Sequence, residues 1–199
     1  MLKQIASVAL IAAVTLTSSF AGDKINGAGA SFPAPLYYDW AYNYKKDTKN
    51  VINYQSIGSG GGIKQITERI VDFGATDAPL TTKQLAEAKL IQFPAVIGSI
   101  VVVFNVAGIA DETLKLKNSV VADIFAGKIT MWNDAAIVAD NKDLKLPNEK
   151  IVVAHRSDGS GTTYNFTYYL SGSSESWKNT YGIGKAINWA VGIGGKGNE

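Results

Sequence analysis

The chain contains no cysteine and a single histidine, His155. Without cysteine there is no disulfide and no site for a lipid thioether, so a core alone must hold the fold. One imidazole and no thiolate leave no His/Cys metal centre, and no His-Glu-x-x-His run is present. An excess of one charge is also missing: 19 Lys and Arg stand against 17 Asp and Glu, a net charge of +2. No basic cluster tracks a polyanion, which argues against a nucleic-acid partner. Lys45-Lys46 and the scattered lysines read as solvated surface. What is plentiful is apolar material: 46% of 199 residues, enough for one or two domains.

The N-terminus carries a targeting pattern. Lys3 supplies a short positive region, Ile5 to Leu16 an apolar stretch, and Ser19-Phe20-Ala21 a small-x-small cleavage site. The apolar stretch is shorter than the about 20 residues a membrane span needs. Residues 1–21 are therefore predicted to be a cleaved signal peptide, with Gly22 the mature start. Removing Lys3 leaves 18 basic against 17 acidic residues, a net +1. An exported, disulfide-free chain points to a bacterial envelope compartment, where the sequon Asn165-Phe166-Thr167 is incidental.

Arg156-Ser157-Asp158-Gly159-Ser160-Gly161-Thr162-Thr163 concentrates a permanent cation, a carboxylate, four hydroxyls and two glycines in eight residues. Ile151 to Ala154 ahead of it reads as a buried strand, and Tyr164 to Leu170 after it as a helix. A strand feeding a Gly/Ser/Thr turn and a helix start presents backbone N–H groups and hydroxyls to an anion. The planar guanidinium of Arg156 matches phosphate or carboxylate oxygens. Alone, this stretch reads equally well as a polar turn with a surface arginine.

The same device occurs upstream. The β-type run Val51 to Ser56 enters Gly58-Ser59-Gly60-Gly61-Gly62, and a helix follows with Ile63, Ile66, Ile70 and Val71 on one face. Ser59 stands at a helix N-cap position, and the glycines let backbone amides approach a ligand. Ile63 before Lys64 excludes a P-loop, and Ile57 and Asp158 stand where a nucleophile elbow needs glycine. Elsewhere, Lys24 to Asn26 reads as a strand ahead of the small-residue turn Gly27 to Ser31. Leu36, Trp40 and Tyr44 read as the core face of the next helix. Val71 to Ala75 is predicted as a strand, Thr82 as the cap of a helix over 83–89, and Ser119 to Phe125 as a helix. Gln92 to Asn105 is predicted as a long β run crossing between lobes. Strands alternating with helices indicate an α/β sheet, whose ligands sit at strand C-terminal ends. Ser31, Ser59, Asp77 and Ser160 all fall there.

Six ordered segments carry a family resemblance: Gly27 to Pro35, Tyr54 to Ile66, Val71 to Leu80, Gly127-Lys128-Ile129 with Trp132, Arg156 to Thr162, and Trp189 to Asn198. From Lys24 to its last residue the chain resembles the periplasmic phosphate-binding proteins of high-affinity phosphate ABC transporters, the PstS family. The resemblance implies a two-lobed type II periplasmic-binding-protein fold with phosphate in the cleft. Lobe 1 is expected over 22–97 and lobe 2 over 98–199, both incomplete, because family members continue past Glu199. It implies phosphate ligands at Ser31, Phe32 (through its backbone), Ser59 and Asp77 in lobe 1. In lobe 2 it implies Arg156, Ser160, Gly161 and Thr162, with Asp158 orienting Arg156. Ser31 replaces a frequent threonine and keeps the hydroxyl; Gly60 replaces a frequent serine.

On that reading Asp77 accepts a hydrogen bond from the P–OH that phosphate retains near neutral pH. Sulfate has no such proton and would face an unpaired, repelling carboxylate. Expected partners are inorganic phosphate and an inner-membrane permease, for a periplasmic monomer without cofactor or metal. The rivals are a binding protein for another oxyanion such as arsenate, sulfate or molybdate, an adhesin or scaffold, and an enzyme. A serine hydrolase lacks its base, since strand alternation turns His155 and Arg156 to opposite faces; a phosphatase of a related branch is the remaining enzymatic alternative.

Overall fold

The computed structural model describes residues 22–198; the predicted signal peptide lies outside them. Two parallel sheets organise the chain. In the larger, β1 (Lys24–Gly29) is flanked by β2 (Val51–Ser56) and β3 (Phe73–Ala75), in the order β2-β1-β3. Gly29 pairs with both Ser56 and Ala75, so all three strands end level at one edge. The smaller sheet pairs β4 (Ala154–Arg156) with β5 (Ile193–Gly195), with Arg156 level with Gly195.

Helix α1 (Ala34–Thr48) links β1 to β2, and α2 (Ser59–Thr67) links β2 to β3. A Cβ on Gly62 of α2 would sit 2.5 Å from the Cα of Gly29, so the missing side chain lets α2 lie directly on the strand ends. The core of this half is small: Ala30, Ala34, Tyr54 and Ala75, with Tyr37 and Phe73 packed on it. The Tyr54 hydroxyl donates to the Ala30 carbonyl at 2.7 Å and fixes the chain just ahead of Ser31. Helix α3 (Thr82–Ala88) follows β3.

The other half contains α4 (Asn118–Phe125), α5 (Ala135–Val138), α6 (Gly161–Ser173) and α7 (Glu175–Thr180). Its core is larger. Val120, Ile124, Ile129, Ile137 and Val153 form one cluster. Val121, Ala122, Leu170 and Trp177 form another.

Several sequence expectations are corrected. Residues 92–105 form no strand. Their composition favours β, but a strand needs a neighbouring edge, and among the described residues no strand pairs with them. Ile97 is 94% and Val103 84% exposed. In α1 the contact stripe is Ala34 and Tyr37, not Leu36, Trp40 and Tyr44, all of which are exposed. Tyr37 meets Tyr54 edge-on at 5.0 Å, which sets the helix rotation. Strand β4 starts at Ala154 rather than Ile151, because pairing begins only where Ile193 comes alongside. Strand β3 likewise begins at Phe73, not Val71. The cap of α3 is Thr81, which forms a reciprocal capping box with Gln84.

Candidate functional site

The level strand ends of the first sheet deliver three polar side chains to one edge. Ser31 follows β1 by two residues, Ser59 follows β2 by three, and Asp77 follows β3 by two. Ser59 is the first residue of α2, not its N-cap; Gly58 takes that position, with φ of +82°. The buried Ser59 hydroxyl turns to Asp77 instead. It accepts from the Asp77 backbone N–H at 3.2 Å and lies 3.4 Å from Oδ2 as its donor.

The second sheet contributes Arg156, the last residue of β4. Asp158 grips its guanidinium in a fork: Nε donates to Oδ1 at 2.6 Å and Nη2 to Oδ2. Both side chains are largely buried, 14% and 13% exposed. Such a bidentate pair fixes the plane of the guanidinium and leaves Nη1 free to point elsewhere. Ser160 caps α6, its hydroxyl accepting from the Thr163 N–H at 3.2 Å, and is buried. Thr162 and the buried Gly161 open α6, whose N-terminal N–H groups and dipole face the same region.

The two halves meet here. The Gly60 N–H donates to the Gly159 carbonyl at 2.7 Å. A Cβ on Gly161 would stand 2.6 Å from Ser59 Oγ and 2.7 Å from Asp77 Oδ2, so the start of α6 rests on the Ser59–Asp77 pair. A Cβ on Gly58 would lie 2.4 Å from Asp158 Oδ2. Phe32, Asp77, Thr162, Asn165 and Asn198 line one cavity. Phe32 itself is 37% exposed, its ring against Gly98. Ser31, Ser59, Asp77, Arg156, Ser160, Gly161 and Thr162 thus converge from four strand ends and two helix starts. Phe32, the eighth expected residue, follows Ser31 and lines the cavity with its ring toward Gly98.

Two participants were not foreseen. The side-chain amide of Asn165 donates to the Asp77 carbonyl at 2.8 Å and the Gly161 carbonyl at 2.9 Å, bridging the halves. Asn198 accepts from Ser31 Oγ at 2.6 Å and from Arg156 Nη1 at 2.8 Å. Both lie within segments already singled out. Position supplies the missing signal: Asn198 follows the end of β5 by three residues, as Ser59 follows β2.

Electrostatically the site holds two unlike carboxyls. Burial pushes the Asp77 carboxyl above the usual aspartate range, against the pull of the Ser59 hydrogen bond and of Arg156. The hydrogen bond from Arg156 holds Asp158 below that range, with the charge of Arg156 acting in the same direction against burial. His155 faces away: its ring stacks on Trp189 at 4.8 Å. Among the described residues, no group of three or more His, Cys, Asp or Glu could hold a metal. The arrangement can therefore supply one cation, several neutral donors and one strategic acceptor to a small oxyanion.

A family profile described as the PBP superfamily domain matches residues 15–195. The chain is 56% identical over 177 residues to the phosphate-binding protein PstS of Haemophilus influenzae, covering 89% of this chain and 53% of that one. It is 53% identical over 188 residues to PstS of Pasteurella multocida, covering 92% and 55%. It is 42% identical over 187 residues to PstS of Methanocaldococcus jannaschii, covering 87% and 48%. The chain spans about half the length of these curated relatives. A Clostridium perfringens protein crystallised with bound phosphate shares the fold, with a TM-score of 0.54 at 21% identity over 85% of this chain and 70% of that one.

Proposed function

The chain belongs to the PBP superfamily domain family, and from that membership we propose that it binds inorganic phosphate, selectively over sulfate, between its two halves. The observation that carries this reading is the packing of the α6 start on the Ser59–Asp77 pair, which brings one carboxyl against a helix N-terminus and a hydroxyl. The names of the PstS relatives support the same ligand.

In the proposed mode Arg156, oriented by Asp158, supplies the one full positive charge. The hydroxyls of Ser31, Ser59, Ser160 and Thr162 and the N–H groups of Phe32, Gly161 and Thr162 donate to the anion oxygens. The starts of α2 and α6 add roughly 0.3–1 kcal/mol each through their dipoles. Ionised Asp77 accepts from the phosphate O–H. Sulfate presents only acceptors, so Asp77 would be left buried and unpaired against it. Leaving such a group unsatisfied costs about 1–3 kcal/mol, more when it is charged.

The wider role follows from the same reading. Export by residues 1–21 would deliver a monomeric binding protein to the periplasm, where it hands phosphate to an inner-membrane ABC permease. A non-enzymatic role fits the relatives' names, which are those of binding proteins, and the His155 ring is stacked on Trp189. Lobe 1 over 22–97 and lobe 2 over 98–199 are the proposed division. Equilibrium dialysis with radiolabelled phosphate tests the function. Retention of label that arsenate displaces and excess sulfate does not is expected. No retention, or equal displacement by sulfate, would refute it.

A further inference from the structure

We propose that Asn198 is an internal competitor of the anion: its side-chain oxygen takes the position of an anion oxygen between Ser31 and Arg156, and ligand must displace it.

The geometry identifies the atom. Arg156 Nη1 can only donate, so the Asn198 atom 2.8 Å from it is the amide oxygen and not the nitrogen. The same oxygen lies 2.6 Å from Ser31 Oγ, which donates to it. Ser31 belongs to the β1 edge and Arg156 to the β4 edge, so a single acceptor joins the two halves. Two of the donors that the phosphate reading assigns to the anion are thus already directed at one point. Asn198 itself is exposed, on the loop after β5; the neighbouring Gly197 N–H donates to Asp158 Oδ1 at 3.4 Å, and Asp158 anchors the other edge of the guanidinium.

Chemistry makes this acceptor displaceable. A neutral amide oxygen binds a guanidinium less strongly than an anionic oxygen does. Phosphate would therefore win the position, at the cost of the Asn198 hydrogen bonds. Asn198 would keep the Ser31 and Arg156 donors aligned and set how tightly the anion is held. A carboxylate at this position would instead pair permanently with Arg156.

The inference rests on the phosphate reading, and calorimetric titration of inorganic phosphate separates the two. N198A is expected to bind phosphate about 3- to 10-fold more tightly than the wild type, as befits removal of about 1 kcal/mol of competing hydrogen bonding. N198D is expected to bind at least about 10-fold more weakly, because its carboxylate occupies Arg156. In a Ser31→Ala background the gain from N198A should shrink, since one of the two contested donors is gone. Unchanged or weaker binding by N198A overturns the competitor role and makes Asn198 a bystander or a ligand. If the wild type itself takes up no phosphate, the phosphate reading fails instead. The bridge is then read by melting in phosphate-free buffer. N198A melting lower by about 2–4 °C supports the bridge, and an unchanged midpoint overturns it.

Discussion

Asp77 and Asp158 are chemically identical and are driven in opposite directions by their surroundings. Burial lifts the first, and the guanidinium of Arg156 lowers the second. The signs give two consequences for pH. For Asp158, whose folded value is depressed, the ion pair contributes stability above the ordinary carboxylate range and loses it as pH falls through the lowered value. For Asp77, whose folded value is raised, the protonated form is favoured in the fold, so ionisation costs stability as pH rises through the raised value. Ionised Asp77 thus works against the stability of the fold, a cost that its proposed role as acceptor would account for. Asp77→Asn should accordingly melt a few degrees higher than the wild type at neutral pH, readable by calorimetric scanning. Acid should also erode selectivity in the intact protein. As pH falls into the raised titration range of Asp77, its new O–H donor fits sulfate, and the phosphate-to-sulfate affinity ratio should drop. A ratio flat from neutrality to the acid limit of folding would count against this role. Asp158→Asn leaves the guanidinium with a single weak neighbour, and phosphate affinity should fall about 10- to 100-fold in the same titration.

At the scale of elements, the site depends on helices approaching strands and one another without side chains between them. Gly161 is the case nearest the proposed ligand, since any Cβ there collides with Ser59 and Asp77. Gly161→Ala should weaken phosphate binding more than about 10-fold while leaving far-UV circular dichroism intact, because a clash of this kind costs about 1–3 kcal/mol. Gly60 is a graded case: its Cβ would lie 3.2 Å from the Gly159 Cα and carbonyl oxygen. Gly60→Ser therefore requires only a shift of a few tenths of an ångström, and a loss of less than about 10-fold is expected.

These turns were the most legible part of the sequence, because Gly and Ser clusters at strand ends report directly on close approach. Ser59 reads as a cap from its position but is not one, because its hydroxyl satisfies Asp77 instead, a partner 18 residues away that no local pattern reveals. Ser160 caps α6, which starts at Gly161 and not at the expected Tyr164. The rotation of α1 was illegible for a similar reason: Tyr37, not Trp40, meets Tyr54. Aromatic spacing at 36, 40 and 44 fits a helix without saying which face is covered.

At the scale of the molecule, two small sheets in separate halves are joined by contacts at the site: Gly60 to Gly159, Asn165 to Asp77, and Ser31 to Asn198. That convergence was legible only as a set of strand ends. The pairing of Arg156 with Gly195, which brings Asn198 alongside, depends on contact across about forty residues. The run at 92–105 shows the opposite failure, where strong β propensity yields no strand for want of an adjacent edge among the described residues. Ile91, Phe93, Ile97 and Val103 are each strongly exposed there. Limited proteolysis should cut within 91–104 before it cuts β1 or α6, and this cleavage should persist in phosphate, because among the described residues the segment's backbone joins no strand or helix.

The measurement that reaches the centre of the account is a paired calorimetric titration of phosphate and of sulfate into the wild type and Asp77→Asn at neutral pH. The wild type should strongly favour phosphate, and the substitution should narrow that preference by at least about 10-fold, the order expected when a charged acceptor no longer faces sulfate. An undiminished preference in Asp77→Asn would contradict the assignment of selectivity to this carboxylate.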